Sequence, residues 1–391
     1  MPSTQRPYKA AIIGTGGIAR SHAEAIASLP GRVELVAVAD VDAERAHAFA
    51  QEFGASAVYT DAAELLHAQE LDLVHVCTPP GSHVPLAILA LRAGVPALVE
   101  KPTALSLAEL TELEAVQEET GVPALTVYQH RFGAGAVKLR SLVHSGALGR
   151  PLVAVCETLW HRPDEYFDLP WRGLWAVEGG GPTMGHGIHQ FDLLLSVLGP
   201  WESLSAMAAR QSRPTDTEDV SMAVVRFENG ALATVVNSIV SPQQVSRLRF
   251  DFEYATVEVN HLYGYRDADW SFTPLAGHEE LTAAWELPGS EEVSGHRHQL
   301  AAILDAFDAG AHPGVGLQDA SRTLEFAAAT YASAFQGRPV HAGEIDQSDP
   351  FFSAMDGGMV PWPPVKNVPT GGAARTGHAA PTEPTEQEPT A

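Results

Sequence analysis

YKAAIIGTGGIARSHAEAIASLPGRVELVAVAD, residues 8 to 40, decides the fold. Tyr8 to Ile13 is a short apolar run ending at a glycine, the pattern of a strand buried on both faces. Gly14 lets the chain turn sharply. Ile18, Ala19, His22, Ala23, Ile26 and Ala27 then recur at helical spacing until Pro30-Gly31 stops the helix. A second apolar run, VELVAVAD, closes on Asp40. Strand, glycine turn, helix, strand is one half-turn of a parallel sheet with its crossover helix.

The same rhythm continues. LDLVHVCTP (71–79), VPALVEKP (95–102) and VPALTVY (122–128) read as strands, and SHVPLAILALRAG and residues 107–119 as helices between them. The spacing predicts a doubly wound parallel sheet over residues 1–128, with helices on both faces. After Tyr128 the pattern changes. A helix (AVKLRSLVHSG) leads to the strand PLVAVCETLW, then a Gly-rich loop and helix over 179–198, then several alternating runs. Asn229-Gly230 between two of these runs is a hairpin signal. Residues 129–355 therefore read as an α/β domain with an antiparallel or mixed sheet open on one face. Residues 356–391, rich in Pro, Thr, Gly, Ala and Glu, read as a disordered tail.

The 391 residues carry 24 Lys+Arg against 48 Asp+Glu, a net charge of −24. Nucleic-acid binding needs the opposite balance, and an anionic membrane would repel this chain. No apolar run approaches the ~18 residues of a spanning helix, and the start of the chain lacks a secretory core. The two cysteines, Cys77 and Cys156, are far apart and suit a reducing compartment. The expectation is a soluble, cytoplasmic protein.

Three stretches carry candidate chemistry. Gly14-Thr15-Gly16-Gly17-Ile18-Ala19 has the G-x-G-x-x-A spacing that brings a helix amino terminus and open backbone against a pyrophosphate. Asp40 at the next strand end can accept from both ribose hydroxyls and repel a 2′-phosphate, which favours NAD while leaving NADP possible. Glu100-Lys101-Pro102 follows a parallel strand, so Lys101 points at the crevice where ligands bind such sheets and can exchange a hydroxyl proton. A helix begun near Met184 would set His186, His189 and Asp192 in one row, with Asp192 orienting His189. His186, His189, His296 and His298 lack a third ligand set, so no metal is expected.

These stretches, with Cys77-Thr78-Pro79-Pro80, His83 and SGALGRPLVAV, resemble the Gfo/Idh/MocA oxidoreductases over residues 7 to 345. The resemblance implies a Rossmann domain, a second domain whose open sheet face makes a dimer or tetramer, and a pocket between the two. It implies that Lys101 is the family's catalytic lysine, preceding a cis proline bond, and that His189 is its active-site histidine. Thr78, Pro79, His83 and Glu100 join the glycine loop as cofactor-side residues. Members that oxidise polyols usually carry aspartate where this chain has Gly185, which leaves proton transfer to Lys101 and His189, with His186 as a stand-in.

Tyr128, Arg131, Trp160, Arg172 and Trp175, with His189 and Asp192, are candidate sugar contacts, since aromatic faces stack on sugar rings and Arg and Asp bond hydroxyls. Tryptophans this dense also pack domain interfaces. The expected function is NAD(P)-dependent hydride transfer between the coenzyme and a hydroxyl or keto group of a sugar, polyol or glycoside. The alternative is a non-catalytic dinucleotide- and sugar-binding regulator on the same fold. A third possibility keeps NAD tightly bound within a lyase or epimerase.

Overall fold

The computed structural model describes residues 6–261 and 263–366. The first sheet has six strands: β1 (Tyr8–Ile13), β2 (Val33–Ala39), β3 (Ala57–Tyr59), β4 (Leu73–Val76), β5 (Ala97–Val99) and β6 (Ala124–Thr126). They run parallel in the order β3-β2-β1-β4-β5-β6, so the chain reverses its winding between β1 and β4. Both faces are covered by helices, which is why strands such as Leu73–Val76 are buried at every position, His75 included.

The second sheet is mixed. Its strands are β7 (Pro151–His161), β8 (Trp201–Ala209), β9 (Val220–Phe227), β10 (Leu232–Ser238), β11 (Val240–Phe252), β12 (Ala255–Asn260), β13 (Trp270–Pro274) and β14 (Val340–His341). The order is β13-β12-β11-β7-β10-β9-β8-β14, with β10 parallel to β7 and the remaining pairs antiparallel. The Asn229-Gly230 turn joins β9 to β10, with Gly230 at a φ of 90° and Arg226 opposite Leu232. The helices Ile188–Leu198 and Leu317–Gln336 cover one face. The other face stays open, and Met207, Met222, Val224 and Leu232 are exposed on it.

Two expectations need correction. The helix His296–Asp308 belongs by sequence position to the second domain, yet its Leu300, Ile303 and Leu304 pack in the core of the first sheet with Ile12, Ala23 and Leu73. Gln299 accepts from Tyr128 N at 3.0 Å and donates to Thr126 O. The chain therefore returns to finish the Rossmann layer, because the amphipathic helix buries its stripe where the first helix, Gly17–Ala27, leaves one uncovered. The tail also starts later than residue 356. Trp362 donates to Asp216 O at 2.8 Å and stacks edge-on against Phe335, and Val365 and Lys366 donate main-chain N–H groups to Asp216 Oδ1. Arg210 on Pro363 O and Lys366 Nζ on the carbonyls of Phe167 and Leu169 help hold this strap. The rest of the expected tail, 367–391, lies outside the described residues.

Candidate active site

The glycine turn is set by crowding. Gly14 has a φ of 88°, and a Cβ there would sit 2.7 Å from Thr78 Cγ2 and 2.9 Å from the Cys77 carbonyl carbon. Gly16 instead faces open space, leaving the backbone at the helix amino terminus accessible to a pyrophosphate. Gly17, Ile18 and Ala19 form the first turn of the helix Gly17–Ala27, with Ala19 fully buried.

Asp40 ends β2 beside this turn. Its carboxylate accepts Thr15 N and Oγ1, both at 2.8 Å, Asp42 N at 3.0 Å, and a two-pronged contact from Arg45 at 3.0 and 2.6 Å. Burial pushes its pKa up, but Arg45 and the N–H donors outweigh that and hold it below the usual range. Thr78 borders the same turn, and Pro79 beside it is exposed. His83 does not face it: its ring nitrogens lie 2.7 Å from Thr78 O and 2.8 Å from Pro102 O. Both nitrogens are engaged by main-chain carbonyls, so His83 ties two loops together.

Glu100 is likewise turned inward. Its Oε1 accepts from His22 Nε2 at 2.9 Å and His296 Nε2 at 3.2 Å, and Oε2 accepts the Lys101 main-chain N–H. Burial raises its pKa, yet these donors hold it well below the carboxylate range. With His22 Nε2 donating, its Nδ1 accepts from His75 Nδ1 at 2.8 Å. That leaves His75 Nε2 buried without a partner. Among the described residues, His22, Glu100 and His296 form the one group whose ligating atoms lie within 4.8 Å of one another. The hydrogen bonds above already join these three, and His186, His189 and His298 belong to no such group.

Lys101 reaches the other way. The Lys101–Pro102 bond is cis, and Nζ donates to Gly185 O at 3.1 Å. A Cβ at Gly185 would meet nothing within 4 Å, so that position opens onto free space. The loop leading there is glycine-rich because it is crowded: a Cβ at Gly181 would run into Glu218 O, and one at Gly187 into Asn237. Glu218, fully buried, accepts Gly181 N at 2.9 Å, Thr183 N at 3.1 Å and Tyr331 OH at 2.9 Å.

One π turn, Thr183–Gly187, precedes the helix Ile188–Leu198 and breaks the row expected for His186, His189 and Asp192. His189 is 2% exposed and lies edge-on to His130 at 5.0 Å and Tyr263 at 5.2 Å. His186 lies 5.0 Å from Trp160. Neither Nδ1 has a hydrogen-bond partner within the described protein. Burial, then the charges of Lys101 and Arg162 respectively, push His189 and His186 well below the usual histidine range, so both are neutral.

Asp192 does not orient His189. It takes two hydrogen bonds from Arg131, at 2.7 and 2.5 Å, and one from Thr323. Arg131 also bonds Asp319 at 2.8 Å and stacks on Tyr128, which is 2% exposed. Tyr128, Arg131 and Asp192 are thus buried scaffold in this structure, with Arg131 and Asp192 paired to each other and to Asp319 and Thr323. Trp175 donates to Asp216 O and packs on Tyr331, which makes it scaffold too. Trp160 is 6% exposed, edge-on to His186 and Tyr263, with Nε1 bonded to Ser246. Arg172 stacks on Tyr166 and Trp171, each at 4.3 Å, and pairs with Glu178.

Tyr263, which donates to His186 O and sits between His130, His189 and Trp160, was not foreseen. It lies in an irregular loop after β12, where no periodic pattern points. Glu218 was missed as well, although an acid within the run TDTEDV gave a signal of sorts.

A Rossmann sheet, a glycine turn with an acid at the next strand end, and a lysine facing two neutral histidines at the domain junction define a dinucleotide-dependent oxidoreductase. Residues 8–129 match the family described as "Oxidoreductase family, NAD-binding Rossmann fold", and residues 136–258 match the "GFO/IDH/MocA C-terminal domain". The chain belongs to the Gfo/Idh/MocA oxidoreductases. A D-apiose dehydrogenase of Paraburkholderia graminis is 29% identical over 381 residues, covering 92% of this chain and 96% of the relative. An inositol 2-dehydrogenase of Saccharopolyspora erythraea is 29% identical over 243 residues, 59% of this chain and 67% of that one. The WlbA dehydrogenase of Bordetella pertussis, solved with NADH and UDP-GlcNAcA, superposes with a TM-score of 0.77 at 25% identity, covering 87% of this chain and all of that one. No helix among the described residues is long and apolar enough to cross a membrane.

Proposed function

We propose that this protein is an NAD-dependent dehydrogenase of a sugar or polyol hydroxyl, in which Lys101 exchanges the hydroxyl proton and His189 positions the hydroxyl. The observation that carries this reading is the placement of Lys101 Nζ, whose one hydrogen bond among the described residues is to Gly185 O, on the turn that leads to His189. The relatives named for D-apiose and inositol point to the same substrate class.

The residues present fit the coenzyme: Gly16 leaves the backbone open, and Asp40 stands where ribose hydroxyls would replace the Arg45 fork. When bound, the coenzyme would supply the hydride acceptor. Lys101 holds the reacting oxygen and takes its proton. A neutral His189, with an unengaged Nδ1, can accept or share a hydrogen bond with that oxygen without adding a competing positive charge. Tyr263 and His130 fix the His189 ring from two sides. The buried Glu100 carboxylate fixes the lysine's main chain.

Lys101→Ala should lower turnover ~10²–10⁴-fold, with the NAD dissociation constant nearly unchanged. Retained turnover would remove Lys101 from the reaction. Oligomerisation through the open sheet is part of the same proposal. Met207 pairs with Met222, and Leu232 with Val153, in register. The result is a contiguous apolar patch suited to a second copy of the chain.

A further inference from the structure

We infer that the sugar taken by this site carries an acid group, and that Arg162 is the residue that binds it. The inference rests on the dehydrogenase reading above and narrows its substrate class to anionic sugars.

Arg162 follows β7 and lies half-buried, its guanidinium 4.8 Å from the Trp160 ring centre and 5.5 Å from that of Tyr166. Its side chain makes one weak hydrogen bond, to the His161 carbonyl at 3.3 Å. Among the described residues no carboxylate lies within ion-pair distance of it. Its neighbours differ: Arg172 pairs with Glu178, Arg213 with Asp164, and Arg131 with Asp192 and Asp319. A guanidinium stacked on rings keeps its N–H edge free, and that edge matches a carboxylate or phosphate two bonds at a time.

The position matters as much as the missing partner. The two rings beneath Arg162 are those that flank His186, at 5.0 and 6.5 Å. Lys101 donates to the carbonyl of Gly185, the residue before His186. Lys101 and Arg162 thus both lie beside His186. Position 185 is a glycine opening onto free space, not an acid. Both cations, with Arg172, bear on His186 strongly enough to help keep it neutral. In a chain with a net charge of −24, two cations beside one histidine, neither in an ion pair among the described residues, form a local trap for an anion that the rest of the surface would repel.

The test pairs sugars that differ only in the acid. The full chain is assayed with NAD at 340 nm against D-glucose and D-glucuronate, D-galactose and D-galacturonate, and D-glucose 6-phosphate. The acids should exceed their neutral partners in kcat/KM by about 10- to 100-fold, the worth of one charge-assisted contact. Arg162→Met should abolish that preference with little change for the neutral sugars, and Arg162→Lys should keep part of it. A preference for the phosphate alone supports the inference and identifies the acid. Equal kcat/KM for acid and neutral partners, or a preference that survives in Arg162→Met, overturns it. If no sugar reduces NAD, the dehydrogenase reading fails, and thermal stabilisation of the NAD complex by glucuronate still decides the matter. A shift in the parent that is lost in Arg162→Met supports Arg162 as the acid site; no shift refutes it.

Discussion

Acidification from about pH 7.5 to about 5.5 should remove roughly 5 kcal/mol of folding stability, because of histidines that the fold holds neutral. His75, His186 and His189 are fully enclosed and pushed well below the usual histidine range, and His130 is pushed down to about 3, burial being the first cause for all four. A histidine whose folded pKa is depressed binds its proton first in the unfolded chain, near 6.5. Its stabilising effect is complete above that value and is lost as the pH falls. Each such ring costs about 1.4 kcal/mol by one unit below 6.5, and four of them approach the lower end of the total stability of an ordinary domain. Glu178, Glu218 and Asp192 act in the opposite sense, because burial raises their pKa values, while His22 and His83, which burial lowers, add to the loss. Urea unfolding followed by tryptophan fluorescence at the two pH values measures the difference. Proton uptake on unfolding near pH 5.5 should approach about four from these rings alone. Equal unfolding free energies at the two pH values, or uptake of less than one proton, would refute the argument that these rings are neutral because they are buried.

Three further outcomes are expected. Gly14→Ala forces a Cβ into Thr78 and Cys77 at a left-handed φ, so NAD affinity should fall more than ~10-fold while far-ultraviolet dichroism is unchanged; undiminished binding would show that the turn does not set the coenzyme's seat. Asp40→Ser frees Arg45, which should weaken NAD by ~10-fold and raise activity with NADP; a parent that already prefers NADP would contradict the role given to Asp40. Met222→Asp places a charge in the middle of the open sheet and should convert an oligomer to monomers in light scattering; a parent that is already monomeric at micromolar concentration removes the interface.

The first half of the molecule was legible because its signals are local. A run of four to six apolar residues followed by glycine and a helical stripe is self-contained, and each strand–helix unit repeats it. The Asn229-Gly230 turn likewise needs only two residues to be read. Lys101 could be aimed at the crevice for the same reason: in a parallel sheet, the end of a strand faces the ligand whatever follows it.

Contacts between distant residues were hidden. Spacing suggested Asp192 as a partner for His189, but a buried carboxylate takes the strongest donor within reach, and Arg131, 61 positions earlier, offers a two-pronged one. The π turn that interrupts the helix lies against Asn237 and Glu218, which belong to another strand and loop and could not be read from its own sequence. The helix His296–Asp308 carries an apolar stripe that suits either domain, and only the uncovered flank of the Gly17–Ala27 helix decides which one takes it. Sequence alone determined the sheet, the glycine turn and the strand-end acid and lysine, because backbone geometry and periodicity act over a few residues. Tertiary structure alone decided which polar groups satisfy one another and which, like Arg162, are left without a carboxylate among the described residues, because that competition is settled between side chains brought together only by folding.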